Sequence, residues 1–378
     1  MHNHHYQFHH HFLDKPLNQL YISMAIRSFG ISMIGLFIPI YLHIQLGYSL
    51  AQTFLYFIVL ALVVAFASPV AGILSRKIGV KHIILLSTPL YMTALYLLYL
   101  LQTVHIPLTL IGVIGGLGSA LFWFGFHYAF YIESDKKHRG QEVGTRLATS
   151  LMASFIGPIL GGILIKQFGF SSVFVICAIS LVIAALFLFI SPDFKTNYHF
   201  SFKNVHKNYS HKIALFFLSR GMIDTGHKIA WPLFMFYILK SYVSLGMTQS
   251  VITLVSIGIL FFAGKLADKH SKQKIARTFS LLEMCNWTVR SFIYSTWQVF
   301  AVTIWGGINS AFYHPAIMAI EYDHASSFKP KHRTSYFIQR EFFISIGRVL
   351  ILLLMLLIGD FSQILMVLGL LELVVFIF

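Results

Sequence analysis

Charged residues are scarce in this chain: Asp, Glu, Lys and Arg make up 11% of its 378 residues, against roughly 25% in a soluble domain. Hydrophobic residues make up 57%. Apolar stretches of about 20 residues recur along the whole length, and each is long enough as a helix to cross a bilayer core of roughly 30 Å. No soluble domain is evident, so the composition indicates an integral membrane protein.

Cysteine is also scarce, and motifs for catalysis or nucleotide binding are missing. Cys177 and Cys285 lie in separate apolar segments, which suggests neither a disulfide scaffold nor a metal site. The sequence has no glycine-rich phosphate-binding loop, no zinc-ligand spacing and no nucleophile elbow. We therefore expect no cofactor, no resident metal and no ATP-driven pumping.

Acidic residues are outnumbered, with 13 Asp and Glu against 28 Lys and Arg and a formal net charge of +15. The basic residues concentrate in alternate connections between the apolar segments, while the other connections hold only Lys166 and Lys240. This positive-inside pattern places both termini in the cytoplasm of a cell-membrane protein. The excess charge is therefore topological, and it argues for the lipid bilayer as partner and against nucleic acid.

The apolar segments predict twelve membrane helices. We place them at 18–43, 50–74, 82–103, 106–132, 147–167, 170–191, 212–239, 246–264, 276–294, 297–321, 336–358 and 361–378. The predicted organisation is a His-rich cytoplasmic tail at 1–17, a six-helix bundle at 18–191, a cytoplasmic linker at 192–211 and a second six-helix bundle at 212–378. The histidines of the tail are compatible with metal binding or with a disordered extension, and the alternatives stay open.

Several features of the sequence return after 192 to 194 residues. The paired positions are Arg27 and Arg220, Pro39 and Pro232, Gly72 and Gly264, and Arg146 and Arg340. Charged positions held at a near-constant offset are hard to obtain by chance in apolar sequence. The chain therefore reads as two copies of one unit, a pattern typical of transporters.

The two glycine-basic stretches, GILSRKIGVK and GKLADKHSKQK, share the spacing G-x-x-x-(D/R)-(K/R)-x-x-x-K. They resemble motif A of the major facilitator superfamily, which follows helices 2 and 8. The resemblance implies a cytoplasmic turn with a gating role for Gly72, Arg76, Lys77, Gly79, Gly264, Asp268 and Lys269. Since Arg76 stands where the family usually has Asp, we expect the gating carboxylate at Asp268.

Helix 5 resembles a second motif of the same family, motif C, with Ala153 replacing one glycine. The matching residues are Gly144, Gly157, Pro158, Gly161 and Gly162. In the family this motif is associated with proton-coupled antiporters, and a generic small-residue packing face is the alternative. The whole resemblance implies an all-α membrane protein with 12 transmembrane helices in two pseudo-symmetric bundles. It also implies alternating access, no enzymatic activity and a monomer.

Ionisable and aromatic residues inside the predicted helices are the candidates for substrate binding and proton coupling, because burying charge in a membrane is costly. Arg220, Asp224 and Lys228 are spaced four apart and share one stripe of helix 7. We expect Asp224 to neutralise Arg27 or Arg220, either as an exchanger of protons or as a static ion pair. The full set is Arg27, Trp123, His127, Tyr131, Arg220, Asp224, His227, Lys228, Tyr313 and His314.

A third group of charged residues lies at the predicted cytoplasmic ends of helices 4, 5, 10 and 11. These residues are Glu133, Asp135, Arg139, Arg146, Glu321, Asp323, Arg333 and Arg340. Glu133-x-Asp135 and Glu321-x-Asp323 are interpreted as matching positions of the repeat, and the group as a gate of ion pairs. Glu283 and Arg290, seven residues apart on helix 9, are expected to pair with each other or with a neighbouring helix and are given no function.

The sequence favours a secondary transporter that exports a small amphipathic molecule in exchange for protons. Uptake or exchange of an organic anion is the alternative, because Arg27, Arg220 and Lys228 outnumber Asp224. A polytopic membrane enzyme is less favoured, since its only possible catalytic clusters are duplicated across the repeat. A receptor or scaffold on the same fold is disfavoured by the lack of a large extramembrane domain.

Overall fold

The structure, a computed structural model, describes residues 15–134, 139–190, 192–196, 211–267 and 271–376. Within these ranges it leaves the side chains of 139–141, 261–267 and 330–332 undescribed. Every regular element in the described part is a helix. The predicted His-rich tail and most of the predicted linker lie outside the described residues.

Twelve helices follow one another along the described chain. They are α1 (Pro16–Ile34, continued by Ile38–Ile40 and a π-turn at Tyr41–Gln45), α2 (Leu50–Ile78), α3 (Val80–Leu100), α4 (Leu108–Glu133), α5 (Arg139–Ser154 and Gly157–Phe168), α6 (Phe170–Leu186), α7 (His211–Thr225, Gly226–Ala230 and Trp231–Leu239), α8 (Tyr242–Ala267), α9 (Lys272–Arg290), α10 (Thr296–Ser327), α11 (Pro330–Ile358) and α12 (Phe361–Glu372).

The helices form the two predicted six-helix halves. In the first half α4 packs against α2 and α3, and α1 packs against α5 and α6. In the second half α7 packs against α11, and α9 packs against α10 and α12. The halves meet along two seams, α2 with α11 and α5 with α8. We call the end that holds the α2–α3, α4–α5 and α10–α11 connections the basic end, and the other the opposite end.

The two halves differ in how apolar their helices are. Among the described residues, eight helices are long and apolar enough to cross a membrane by length and composition: all six of the first half, α8 and α11. The remaining four, α7, α9, α10 and α12, all belong to the second half, and three of them carry buried ionisable residues: Arg290 on α9, Glu321 on α10 and Glu372 on α12. The second half therefore holds a more polar interior than the first.

Several helices are longer than predicted, so most of each stretch that resembles motif A is helical and does not form a turn. Gly246 and Gly264 lie inside α8 and do not bound it. The stretch from Gly72 to Lys77 is also helical, and only Gly79, at φ 108°, forms the turn before α3. A continuous helix satisfies its own backbone hydrogen bonds in a membrane, so glycine does not end it there.

Candidate functional site

Helix α7 is interrupted at its centre. A π-turn at Gly226–Ala230 joins its two α-helical parts, and Pro232, which lacks a backbone N–H, is the second residue of the second part. A Cβ on Gly226 would overlap the side chain of Leu368, so α12 packs directly on this turn. Wide turns of this kind are frequent at functional sites. Here the interruption lies where α7 borders a cavity between the halves.

The cavity has a volume of about 440 Å³. Its first wall, from α1, α2, α4 and α5, is apolar apart from three serines and includes Trp123. Its second wall, from α7, α8 and α11, contributes all the charged lining side chains. These are Asp224, Lys228 and Arg348. The cavity is therefore amphipathic, with its charge on one side.

Asp224 links the two cations of the charged wall. Its Oδ1 lies 2.8 Å from Lys228 Nζ, and its Oδ2 lies 3.3 Å from Arg348 Nη2 on α11. Two cations thus share one carboxylate, and the wall keeps one uncompensated positive charge. The side chain of Lys228 is 63% exposed, which leaves its ammonium accessible from the cavity.

The two arginines of the repeat do not pair with Asp224, contrary to expectation. Arg27 is 6% exposed, and its Cζ lies 3.6 Å from the ring centroid of Phe122 and 4.3 Å from that of Tyr91. The Cζ of Arg220 lies 5.5 Å from the ring centroid of Tyr313. Aromatic faces hold both guanidinium groups, and neither lines the cavity.

The structure brings only part of the predicted set to the cavity. Trp123, Asp224, His227 and Lys228 line it. Arg27, His127, Tyr131, Arg220, Tyr313 and His314 lie outside its lining. His127 stacks on Trp123 with 5.6 Å between ring centroids, so it supports the aromatic wall from behind. The sequence analysis missed Arg348, although the rule that flags charges in apolar helices applies to it equally.

The halves contact each other at both ends of the cavity. At the opposite end His43 Nε2 is 2.8 Å from the Tyr237 hydroxyl, and the Tyr242 hydroxyl donates to Gln45 at 3.2 Å. At the basic end the imidazole of His127 on α4 is hydrogen-bonded to the Tyr322 hydroxyl on α10 at 2.9 Å. Opening either end requires these contacts to break.

The predicted pair Glu321 and Arg340 is present at the basic end. Glu321 Oε2 accepts from Arg340 Nε at 3.0 Å, and Arg340 also pairs with Glu341. All three side chains are buried. Arg146, the repeat counterpart of Arg340, donates to the sulfur of Met318 and makes no ion pair among the described residues.

The predicted match of Glu133 with Glu321 is wrong. At the offset of 194 that relates Arg146 to Arg340, the counterpart of Glu321 is His127. Glu133 is only half-buried, and Asp323 forms a surface pair with Lys272 at 2.7 Å. The triplets Glu133-x-Asp135 and Glu321-x-Asp323 look alike in sequence, but Glu133 is the last residue of α4, whereas Glu321 lies inside α10, which continues to Ser327.

Of the remaining predicted gate residues, only Arg333 has a described side chain at the basic end. Arg333 donates to the carbonyl of Phe328 at 3.1 Å and lies over the ring of Tyr131. Asp135 lies outside the described residues, and the side chain of Arg139 is undescribed. Their predicted roles stay predictions.

The turn of the first motif A is held by a residue that the sequence analysis did not single out. A Cβ on Gly79 would overlap the carboxylate of Asp193, which accepts from the backbone N–H of Lys81 at 2.8 Å and from that of His82 at 3.2 Å. Burial alone would raise the pKa of Asp193, but these hydrogen bonds and one from the His82 ring hold it below its usual value. Asp193 therefore caps α3.

The other motif A residues lie on α2, on α8 or outside the described residues. Arg76 and Lys77 are exposed on the last turn of α2, and Gly72 is buried in the same helix. Asp268 and Lys269 lie outside the described residues. The gating role of Asp268 stays a prediction.

Motif C forms a close contact of α5 with two neighbours. A Cβ on Gly157 would overlap Ser32, and one on Gly161 would overlap the carbonyl of Met33, both on α1. A Cβ on Gly162 would overlap the carbonyl of Tyr242 on α8. Gly144 has open space around it and takes no part, while Pro158 lines the cavity. The motif thus sets the distance between the halves on this seam.

The chain is similar to one curated protein over most of its length and to several solved transporters in fold. Protein YqgE of Bacillus subtilis, itself uncharacterized, is 24% identical over 367 residues, which covers 92% of this chain and 83% of the relative. A bacterial homologue of the iron transporter ferroportin, in an outward-facing state, has a TM-score of 0.70 at 15% identity, with 96% and 98% of the two chains covered.

Two further solved structures are similar to this chain in fold. The human organic anion transporter MFSD10 has a TM-score of 0.69 at 11% identity, with 96% and 98% of the chains covered. FucP, the fucose:proton symporter of E. coli, has a TM-score of 0.67 at 14% identity in its outward conformation, with 96% and 97% covered. A family model described as Major Facilitator Superfamily matches residues 20–210. The chain therefore belongs to the Major Facilitator Superfamily and is a multi-pass membrane transporter, not an enzyme.

Proposed function

We propose that this transporter carries an amphipathic organic anion through the central cavity by alternating access. The observation that supports the anion is the charged wall, where Lys228 and Arg348 share the single carboxylate of Asp224. A carboxylate or phosphate of a substrate would compensate the remaining positive charge. Charge-assisted hydrogen bonds of this kind contribute about 1.5–3 kcal/mol each.

The opposite wall fits the apolar part of such a substrate. It is formed by aliphatic side chains, three serines, Phe57 and Trp123, and the volume of about 440 Å³ lies in the range of small-molecule sites. MFSD10, whose fold this chain shares, is described as an organic anion transporter. The likeness concerns the fold, and the charge of the cavity carries the proposal for this chain.

The contacts at the two ends of the cavity support alternating access. The basic end and the opposite end are each closed by a few side-chain hydrogen bonds between the halves, such as His127 with Tyr322 and His43 with Tyr237. Such bonds cost about 1 kcal/mol each to break, so a rocking motion of the halves can open one end at a time. We expect the basic end to face the cytoplasm and the protein to act as a monomer.

Uptake of a radiolabelled aromatic carboxylate such as salicylate into proteoliposomes tests the proposal. We expect Lys228→Gln and Arg348→Gln each to raise KM about tenfold, the equivalent of roughly 1.4 kcal/mol. Lys272→Gln is the matched control, because Lys272 forms an exposed pair with Asp323 away from the cavity. Saturable uptake that neither cavity substitution weakens would contradict the assignment of the anion site.

Proton-coupled export of an amphipathic compound is the second candidate. The packing of the motif C glycines Gly157, Gly161 and Gly162 against α1 and α8 favours it, since the family associates this motif with proton-coupled antiport. Proton flux measured with a pH-sensitive dye separates the two candidates. Flux driven by lipophilic cations or uncharged aromatic drugs, with none from organic anions, would replace the anion proposal by this one.

A further inference from the structure

A second cluster of ionisable residues lies inside the second half, next to the cavity but outside its lining. Glu372 on α12 is 0% exposed, and Glu283 and Arg290 on α9 are 4% and 3% exposed. Both side-chain oxygens of Glu372 are buried without a hydrogen bond. A buried carboxyl group without a partner is costly when it is ionised, so this one calls for an explanation.

The neighbours of Glu372 come from three other helices. Arg220 on α7, Glu283 and Arg290 on α9 and Tyr313 on α10 all interact with it electrostatically. None of the cations forms an ion pair with it among the described residues. The Tyr313 hydroxyl and the Trp287 indole adjoin the carboxyl but do not reach it with hydrogen-bond geometry. The carboxyl group of Glu372 is thus surrounded by hydrogen-bond donors, which a small displacement of the side chains would bring within hydrogen-bond distance.

Glu283 connects this interior to the cavity. Its Oε2 accepts from Asn309 at 3.0 Å, and its Oε1 lies 3.7 Å from Arg290 Nη2 and 3.8 Å from His227 Nε2. His227 lines the cavity, and the ionisable groups that act on it are Arg290, His314, Asp224 and Arg220. Its ring centroid lies 4.5 Å from that of Trp287. A line of titratable groups therefore runs from the cavity through His227 and Glu283 to Glu372.

We propose that Glu283 and Glu372 form a buried proton-binding site, which exchanges its proton with cavity water through His227. When the proton leaves a carboxyl group, it passes to His227 Nε2 and from there to water. The carboxylate that remains is compensated by Arg290 or Arg220. Unpaired donors of Arg290 and Trp287 also face this interior, and these donors together with two arginines disfavour a metal cation as the ligand.

The site gives the proposed anion transport, on which its role rests, a means of proton coupling. An anion held at Lys228 and Arg348 favours the protonated form of nearby groups. By linkage, the proton favours anion binding to the same extent. The site is separate from Asp224, whose carboxylate is already shared by two cations.

Infrared difference spectroscopy of the purified protein, recorded between alkaline and mildly acidic pH, tests the site without any substrate. We expect a C=O band of a protonated carboxyl group in the wild type and its loss in Glu372→Gln. Asp360→Asn is the matched control, because Asp360 is an exposed carboxylate at the start of the same helix. A band that persists in Glu372→Gln, or no titrating band in the wild type, would overturn the proposal.

Two further variants keep the test decisive. Should Glu372→Gln fail to fold, Tyr313→Phe is expected to shift the frequency of the band, because it removes a hydroxyl next to the carboxyl group; an unshifted band counts against the site. His227→Phe is expected to keep the band but to lose its fast exchange in D₂O, and unchanged exchange would remove His227 from the path. Since no substrate is present, these results are independent of whether the transported compound is an anion.

Discussion

His127 and Glu321 occupy equivalent positions of the repeat, yet only Glu321 holds the arginine that follows it on the next helix. Glu321 pairs with Arg340, whereas His127 bonds to Tyr322 of the other half, and Arg146 forms no ion pair with a carboxylate in the part of the chain that the structure describes. The two copies of the unit have therefore diverged at the residue that joins the halves. In the first copy a bond within one half has been replaced by a bond between halves.

We predict that His127→Glu stabilises the protein and slows transport. The new carboxylate would offer an ion pair to Arg146, which is buried and forms none among the described residues; we expect a gain of about 1–3 kcal/mol, part of the roughly 3–5 kcal/mol that breaking a buried ion pair costs. Thermal unfolding in detergent measures the first effect, and initial uptake rates in proteoliposomes measure the second. His127→Gln is the control, since its amide can replace the bond to Tyr322 without adding charge. A lower melting temperature for His127→Glu than for His127→Gln would refute the argument.

Asp224→Asn tests the charge of the cavity. Removing the carboxylate leaves Lys228 and Arg348 uncompensated, so a substrate anion should bind more tightly. A unit charge at about 4 Å contributes roughly 1 to 4 kcal/mol between water and a protein surface, which predicts a KM at least about fivefold lower and a slower release of substrate. Asp323→Asn, on the surface, should change neither value.

The same variant separates two roles for Asp224. If Asp224 exchanged a proton during transport, as one sequence-based alternative holds, Asp224→Asn would remove the dependence of transport on a pH gradient. We expect that dependence to persist, because Lys228 and Arg348 both compensate the carboxylate. Its disappearance, with the infrared band of Glu372 intact, would return proton coupling to Asp224.

Gly246→Ala is predicted to destabilise the seam between α5 and α8. A Cβ at this position would overlap the carbonyl of Pro158, and overpacking of this kind costs about 1–3 kcal/mol. Gly258→Ala on the same helix meets open space and should be neutral or stabilising by up to about 1 kcal/mol. The melting temperature should therefore fall for Gly246→Ala and stay unchanged or rise for Gly258→Ala, and equal shifts would show that α5 and α8 are not tightly packed at Gly246.

Asp193 should make stability depend on pH at the turn before α3. Its pKa is held below the usual value in the folded protein, so its contribution is complete above about pH 4 and is lost as pH falls through the folded pKa. Asp193→Asn should lower the free energy of unfolding by about 1 kcal/mol at neutral pH. The difference from the wild type should shrink in acid, and thermal unfolding at both pH values measures it.

The architecture of this protein could be predicted from its sequence because it depends on long apolar segments and on charges at their ends. The helix ends could not. For example, α10 runs to Ser327 and α11 starts at Pro330, well beyond the apolar residues that defined the predictions. Helices continue into water when their polar turns still satisfy the backbone, and hydropathy does not register such turns.

The candidate site was only partly predictable. Asp224, His227 and Lys228 were found because charges in apolar helices stand out, but their partners depend on packing. Arg27 and Arg220 looked like partners of Asp224 by symmetry, whereas aromatic rings hold both. Glu372 was missed because a single acid near the end of an apolar helix gives no sign in sequence of its burial among α7, α9 and α10.

Arg27 carries its charge on α1 between two aromatic rings, with no ion-pair partner among the described residues. A charge that moves with one half as the halves rock is displaced within the electric field of the membrane. The field performs work of about 2.3 kcal/mol for each elementary charge carried across 100 mV. A displacement over even a fraction of the bilayer would therefore make the rate of the conformational change depend on membrane voltage, whatever the charge of the compound carried.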